Sequence, residues 1–196
     1  MCSEGLATLR TKKSTPRRGN ERNGQKMDMK RIISLCLAAV MLLSAVACGS
    51  KEPATPALKE GVTLQGLMDS ISEEYGFAMP AALDEMILTD LLDINPGDVE
   101  EYAGYISMVM VSSDNLIAVK AKEGKTEEIQ GKLEARKDFE VRSFQQYLPD
   151  QYDKAQAGKV FAVGDYVFLV MVAGEDGDPA ADIAAAETLI RDSFAG

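Results

Sequence analysis

A cysteine at the end of an apolar run is the residue whose chemistry its neighbours define most clearly. Residues 30–48 read KRIISLCLAAVMLLSAVAC, a basic head followed by 16 mostly apolar residues, Ile32 to Ala47. Such a run suits the core of a signal peptide and is shorter than the roughly 18 residues that a membrane span requires. Ala45-Val46-Ala47-Cys48 resembles a bacterial lipobox, where a diacylglycerol is attached to the cysteine sulfur and the chain is cut before it. We therefore expect lipidation of Cys48.

Carboxylates in a glycine-containing loop form a second group with chemical potential. Residues 174–178 read GEDGD and Asp182 follows, and oxygen ligands at this density suit Ca²⁺. The loop lacks the D-x-D-x-D-G order and the distant glutamate of an EF-hand. An acidic turn that caps a helix beginning at Pro179 is therefore the preferred interpretation. The metal candidates are Glu175, Asp176, Asp178 and Asp182. We expect no cofactor.

Catalytic chemistry has little support in the composition. The chain has no histidine, which removes the commonest general base, a common zinc ligand and the Ser-His-Asp arrangement. A glycosidase-like pair needs only two carboxyl groups. Its candidates are Asp84, Glu85, Glu100 and Glu101. Because 28 acidic residues follow residue 47, solvated surface is the preferred interpretation, and we expect no catalytic residues and no enzyme.

Aromatic and basic groups supply further candidates. Five tyrosines could line a ligand or partner face, because tyrosine combines apolar area with a polar tip. They are Tyr102, Tyr105, Tyr147, Tyr152 and Tyr166. Packing at the sheet edge or at a helix end is the alternative interpretation. Lys120, Lys122 and Lys125 form a local basic group, which we interpret as protection of a sheet edge against pairing.

The chain divides into four segments. They are a start-site extension or disordered basic tail (1–28), a lipoprotein signal peptide (29–47), the lipidated cysteine with a flexible linker (48–61) and a single domain (62–196). The first 47 residues hold 9 Lys+Arg and 3 Asp+Glu, whereas the remainder holds 12 and 28. Such an acidic domain argues against nucleic-acid binding and against docking on anionic lipid through the protein surface.

Apolar periodicity predicts an α+β domain. The predicted elements are a helix over 64–75, a helical turn capped by Thr89, strands 105–111 and 116–122, a helix after Thr126 that frays at 138–140 and reaches Tyr147, strands 159–163 and 166–172, and a helix from Pro179 to Phe194. An N-terminal helix followed by two ββα units predicts a four-stranded antiparallel sheet with helices packed on one face. The apolar strand 166–172 is expected at a central position.

Several short motifs together resemble a known family. They are Asp93-Ile94-Asn95-Pro96 followed by Val99-Glu100-Glu101-Tyr102, the stretch from Asn115 to Lys122, the step Tyr147-Leu148-Pro149, and Gly164-Asp165-Tyr166-Val167. From about Leu64 to Gly174 the chain resembles domain-of-unknown-function family 4358, lipoproteins of low-GC Gram-positive bacteria. The resemblance implies an extracytoplasmic lipoprotein and carries no established activity or catalytic residue.

These observations predict a membrane-anchored, extracytoplasmic lipoprotein whose domain is a non-enzymatic interaction or small-ligand-binding module of the cell envelope. The expected partners are the membrane, through lipid on Cys48, and an envelope protein or small ligand, without nucleic acid. Two alternatives stay open. One is a carboxylate-dependent hydrolase acting on wall or extracellular polymers, and the other is a Ca²⁺-stabilised adhesion domain.

Overall fold

The computed structural model describes residues 56–195. All the described residues belong to one compact unit. The segment 1–28, the signal peptide at 29–47 and the lipidated Cys48 are predictions that lie outside the described residues.

Four α-helices form where caps and apolar spacing favour them. They are α1 (Leu64–Tyr75), α2 (Thr126–Phe144), α3 (Pro149–Ala157) and α4 (Pro179–Asp192). The Thr63 hydroxyl accepts a hydrogen bond from the Gly66 amide at 3.0 Å at the start of α1, which has the predicted range. A π-helical turn, Ile87–Leu91, and a 3₁₀ turn, Pro96–Asp98, complete the helical structure of the described chain.

Two predictions about helices were wrong. Thr89 does not cap a helix: it lies inside the π-helical turn, and its hydroxyl donates to the Glu85 carbonyl oxygen at 2.8 Å. The helix α2 does not fray at 138–140, because Glu140 is buried and paired there. The chain after α2 forms a separate helix, α3, for which Pro149 supplies the first position.

Five strands form one antiparallel sheet. They are β1 (Pro80–Ala82), β2 (Val99–Ser107), β3 (Asn115–Ala121), β4 (Lys159–Val163) and β5 (Tyr166–Met171), in the order β1-β2-β3-β5-β4. The prediction of four strands was wrong, because the short β1 pairs with the end of β2. The predicted order of a helix and two ββα units is likewise inexact. The second hairpin, with its interior strand β5, forms as predicted.

Helices cover both faces of the sheet, so the prediction of helices on one face was wrong. One face packs Phe168 and Leu116 against α1 and α4, and the other packs Leu169 and Ile117 against α2 and the π-helical turn. Every residue of β5 is buried. Strands that are apolar on both faces require cover on both sides of the sheet, and here two layers of helix provide it.

The two ends of the sheet carry different features. At one end the chain enters the domain: Leu58 bridges to Phe194, whose ring packs edge-on against Tyr166 at the start of β5 with centroids 5.1 Å apart. At the other end Asn115 pairs with Met171, beside the loop that joins β2 to β3. These ends are about 20 Å apart along β3.

The three lysines do not protect a sheet edge, because β3 lies between β2 and β5. Lys120 pairs with Glu100 at 2.6 Å, Lys122 donates to the Gly97 carbonyl oxygen at 2.6 Å, and Lys125 pairs with Asp98 at 3.2 Å. Lys122 and Lys125 hold the 3₁₀ turn near the end of β3, whereas Lys120 binds the neighbouring strand β2.

Candidate functional site

The loop Met108–Asp114, here called the apical loop, has an exposed apolar half and a buried polar half. The apolar residues Met108, Met110 and Val111 are exposed, Met110 to 91 %. The polar residues Ser113 and Asp114, by contrast, are buried. This reverses the usual preference of the two residue types, so the loop's conformation depends on what its polar half binds.

The first anchor of the apical loop is on α3. Lys154 forms an ion pair with Oδ1 of Asp114, and both side chains are less than 10 % exposed. The Ser112 hydroxyl donates to Oδ2 of the same carboxylate at 2.6 Å. Ser113 binds Gln151 through two groups: its amide donates to Oε1 at 2.9 Å, and its hydroxyl lies 3.0 Å from the backbone oxygen and 3.2 Å from Oε1. The loop is therefore tied to a helix forty residues away.

The second anchor of the apical loop is on α2. It contacts the chain at Asn115, where the apical loop ends and β3 begins. The Nε of Arg136 donates to Oδ1 of Asn115 at 3.0 Å, and the Arg136 guanidinium forms an ion pair with Glu140 one turn on. Asn115 Nδ2 in turn donates to the Ser113 carbonyl oxygen at 3.0 Å. The guanidinium also lies over the ring of Phe139, 5.5 Å from its centroid. One arginine thus fixes the loop, a buried carboxylate and an exposed aromatic ring.

Burial acts on both members of this ion pair. It raises the pKa of Glu140, and the attraction of Arg136 and a hydrogen bond from Asn115 oppose that rise only in part. Burial also lowers the pKa of Arg136 against the attraction of Glu140. Desolvation therefore outweighs mutual attraction for both groups, which makes the pair a costly feature of the domain.

A groove of about 350 Å³ lies between the apical loop and α2. Its walls are mainly apolar, and its polar groups are the Arg136–Glu140 pair and serine hydroxyls. The lining residues are Leu91, Ile106, Ser107, Met108, Val109, Met110, Ser112, Arg136, Phe139, Glu140, Ser143 and Phe144. On the far side of Phe139 a second depression of about 280 Å³ continues past Leu91 to the Asp93–Lys132 ion pair. Apolar walls around a few convergent polar groups are typical of a binding site.

The structure does not bring the five tyrosines to one surface. Tyr105 and Tyr166 point to the side of α1 and α4, where the Tyr105 hydroxyl donates to Asp69 at 2.6 Å, while Tyr102 packs on the opposite face. That hydrogen bond raises the pKa of Tyr105 and lowers the pKa of Asp69. Tyr147 is exposed after α2, and Tyr152 on α3 accepts a hydrogen bond from Gln156 at 2.7 Å.

The acidic loop before α4 is arranged as a helix cap. Asp178 accepts a hydrogen bond from the Ala180 amide at 3.1 Å, and Asp182 accepts one from the Gly174 amide at 3.0 Å. Glu175 and Asp176 are exposed. Between Pro56 and Ala195, no three His, Cys, Asp or Glu side chains are placed to hold a metal ion.

The carboxylates considered for catalysis have separate local partners. Asp84 accepts a hydrogen bond from the Ile87 amide at 2.7 Å and so begins the helical turn there. Glu100 pairs with Lys120, whereas Glu85, next to Asp84, and Glu101, next to Glu100, are exposed.

In the stretch 56–195 no helix is long and apolar enough to cross a membrane.

Sequence reasoning missed the buried anchors. Residues 112–115 fell between two predicted strands, and 138–140 were predicted to be a point where the helix frays. The spacing of Arg136 and Glu140, four residues apart on a helix, indicated an ion pair. Nothing local indicated that the pair is buried, since its surroundings include Asn115 and the apical loop, which are distant in sequence.

The fold and the groove define a class: an α+β domain with helices on both faces of its sheet and a mainly apolar groove at one end of that sheet. The family described as "Domain of unknown function (DUF4358)" matches residues 73–172, which include β1 to β5 and the apical loop, and this chain belongs to that family. The predicted resemblance is confirmed. No curated protein and no solved structure gives a match.

Replacing Glu140 by glutamine is expected to reduce the pH dependence of stability. Because the pKa of Glu140 is raised in the folded state, its contribution to stability is fully present below the ordinary value of 4.5 and is lost as pH rises through the raised pKa. The stability of Glu140→Gln relative to wild type should therefore increase with pH. Urea unfolding from about pH 4 to pH 8 measures this difference.

The matched control for that series is Glu123→Gln, since Glu123 is an exposed glutamate in the turn before α2. Its difference from wild type should stay nearly constant. If the Glu140→Gln difference is equally constant, Glu140 does not titrate as a buried group and the second anchor is incorrect.

Proposed function

We propose that this protein is a lipid-anchored, extracytoplasmic binding module of the cell envelope, without catalytic activity, and that the groove beside the apical loop is its binding face. The anchor rests on the basic head, the apolar run and the lipobox-like end at Cys48. The binding role rests on the groove and on the exposed apolar side chains beside it.

One observation carries the binding role: apolar side chains are held exposed by buried polar ones. Met108 and Met110 would be buried if the loop folded over the groove, but the bonds of Ser113 and Asp114 to α3 fix its polar half in the interior. Fixing an apolar surface before binding removes the entropic cost of ordering it later. An exposed, ordered apolar surface of this kind is typical of an interaction site.

The groove supports binding better than hydrolysis. A glycosidase-type mechanism needs two carboxyl groups across the scissile bond, and among the residues that line this groove Glu140 is the one acidic side chain. That carboxylate is already paired with Arg136. The Ca²⁺-stabilised adhesion domain has less support, because Asp178 and Asp182 bind backbone amides.

The position of the groove also suits a tethered module. The linker joins the domain at the end of the sheet that carries Leu58 and Phe194, and the groove lies at the opposite end. Of the predicted linker, Ala57 to Lys59 bind the last turn of the domain, and the eight residues before them, 49–56, reach roughly 27 Å at full extension. In the proposed arrangement the groove is therefore presented away from the attachment point.

Replacing Cys48 by alanine is expected to abolish lipid attachment. Cells that express the protein with a clickable fatty acid should yield a labelled wild-type band, whereas Cys48→Ala should be unlabelled and heavier, because the leader is no longer removed. The readouts are fluorescence after the click reaction and the intact mass. Membrane fractionation alone is insufficient, since an uncut leader can itself retain the chain.

The matched control is Cys36→Ala, which removes a cysteine from the middle of the apolar run. It should be labelled and processed like the wild type. Label on Cys48→Ala, or a free Cys48 thiol in wild-type protein isolated from cells, contradicts the anchor.

The binding role is tested by site-specific photocrosslinking in intact cells. A photoreactive residue at Met110 should give discrete adducts, whereas one at Leu189, an exposed apolar residue on α4, should give none. Equal adducts from both positions, or none from Met110, contradict the assignment of the groove as the binding face.

A further inference from the structure

The groove does not end at the apical loop. Val111, next to Met110, lines a small depression of about 170 Å³ together with Leu148, Pro149, Asp150 and Gln151. Asp150 and Gln151 also line a larger depression of about 380 Å³ on the far side. Three adjoining depressions therefore follow one another across the end of the sheet that is opposite the linker.

The last of these depressions is acidic. Its lining includes the carboxylates of Asp150, Asp153, Glu175 and Asp176. Its one cationic residue, Lys154, has its ammonium group bound to Asp114 and is 8 % exposed. The surface therefore changes along its length from apolar, beside the methionines, to negatively charged, beside the start of α4.

We propose that this surface binds a peptide segment of a partner protein in which apolar residues adjoin lysines or arginines. The inference rests on the proposed binding role of the groove. The apolar side chains of the bound peptide pack against Met108, Met110 and Phe139. Its cationic side chains lie over the carboxylates of Asp150, Asp153 and Glu175. Unbranched methionine side chains adapt to apolar residues of different shape, which suits a peptide better than a rigid small molecule.

Charge complementarity selects this occupant over others. An anionic lipid or a fatty acid would place its head group against the carboxylates, which repel it. A second copy of the chain would bring two acidic domains together, since residues 48–196 hold 28 acidic and 12 basic side chains. Within the groove, Arg136 and Glu140 neutralise each other, so the apolar section favours neither sign.

The test uses the full lipidated protein in phosphatidylcholine nanodiscs, with empty nanodiscs subtracted, and three fluorescent peptides. The first joins a leucine-rich half to a lysine half, the second replaces lysine by glutamate, and the third replaces leucine by serine. Fluorescence anisotropy should show binding of the first peptide, and at least about tenfold weaker binding of the other two. Added salt should weaken the binding of the first peptide.

Two sets of variants locate the site. Met108→Ser with Met110→Ser, and separately Asp150→Asn with Asp153→Asn, should each weaken binding of the first peptide by about tenfold or more. These residues are on the surface or at its rim, and circular dichroism checks that the variants are folded. The control variants Leu189→Ser and Glu123→Gln change an apolar and an acidic residue elsewhere and should leave binding unchanged.

Each other outcome overturns the inference in a recognisable way. If the glutamate peptide binds as well as the lysine peptide, the groove is apolar without charge selection. If the serine peptide binds as well, the acidic surface attracts any cation. If sedimentation shows a dimer that Met110→Ser abolishes, a second copy is the occupant. In all three cases crosslinking from position 110 still tests the proposed function separately.

Discussion

Replacing Gly104 by alanine is expected to lower the free energy of unfolding by about 4 kcal/mol or to prevent folding. Gly104 lies within β2 opposite Ile117 and has φ +128°, a conformation that other residues rarely adopt. An added Cβ would lie 2.0 Å from the carbonyl oxygen of Leu116, a backbone atom that cannot move without disrupting the β2–β3 pairing. Urea unfolding followed by circular dichroism measures the change.

Alanine variants of two other glycines distinguish the effect of the steric clash at Gly104 from the effect of replacing a glycine elsewhere. Gly131→Ala lies at an exposed position inside α2 with no atom near the added carbon, and should stabilise the domain by about 0.5–1 kcal/mol. Gly124→Ala has open space but φ +75°, and should cost about 1 kcal/mol from backbone strain alone. If Gly104→Ala costs no more than Gly124→Ala, the close approach of β2 and β3 at this point is incorrect.

Replacing Lys154 by alanine is expected to cost about 3–5 kcal/mol, because it leaves the Asp114 carboxylate buried without its cation. The Ser112 hydroxyl remains as a partner, but a neutral donor does not replace an ion pair. Stability is again measured by urea unfolding. Hydrogen exchange should in addition show faster exchange of the apical loop amides, since the loop loses its main attachment to α3.

Lys159→Ala is the matched control, because Lys159 also pairs with a carboxylate, Glu187, but its side chain is 44 % exposed. Its loss should cost less than about 1 kcal/mol. The double variant Asp114→Leu with Lys154→Met removes both buried charges and should recover much of the stability lost in Lys154→Ala. A Lys154→Ala cost no larger than that of Lys159→Ala contradicts the first anchor.

The double variant also separates stability from function. If the buried ions serve to hold the apical loop in position, Asp114→Leu with Lys154→Met should unfold at nearly the wild-type urea concentration and yet bind the leucine–lysine peptide more weakly. Apolar substitutes fill the space but give the loop no directional bonds. Stability and peptide affinity that both match the wild type would show that the ion pair is dispensable for the groove.

Local signals predicted several elements well. Helix α1 follows a threonine cap and an apolar spacing that are both present within twelve residues, and the β4–β5 hairpin is closed by Gly164-Asp165. Such elements are specified by neighbours in sequence, which a single chain displays directly. One of the motifs that carried the family resemblance, Gly164-Asp165-Tyr166-Val167, lies within the β4–β5 hairpin.

Other features were predicted wrongly or not at all. The strand β1 has three residues, Pro80–Ala82, and no alternation that would mark it as a strand. The prediction of helices on one face followed the usual behaviour of antiparallel sheets, although β5 is apolar at every position. The apolar residues 108–111 were interpreted as part of a strand, whereas the pairing of β2 with β3 ends at Ile106 and Asn115.

The sequence by itself determined the acidic composition, the lipobox-like cysteine, the alternation of helices and hairpins and the family, because these depend on residue types and on spacings of a few positions. Only the tertiary structure decided that Asp114 and Glu140 are buried, that Lys154 is the partner of Asp114, and that the adjoining methionines are exposed. The physical reason is that burial is a property of packed layers: a charge is buried only where distant parts of the chain cover it, even when its partner lies one turn away on the same helix.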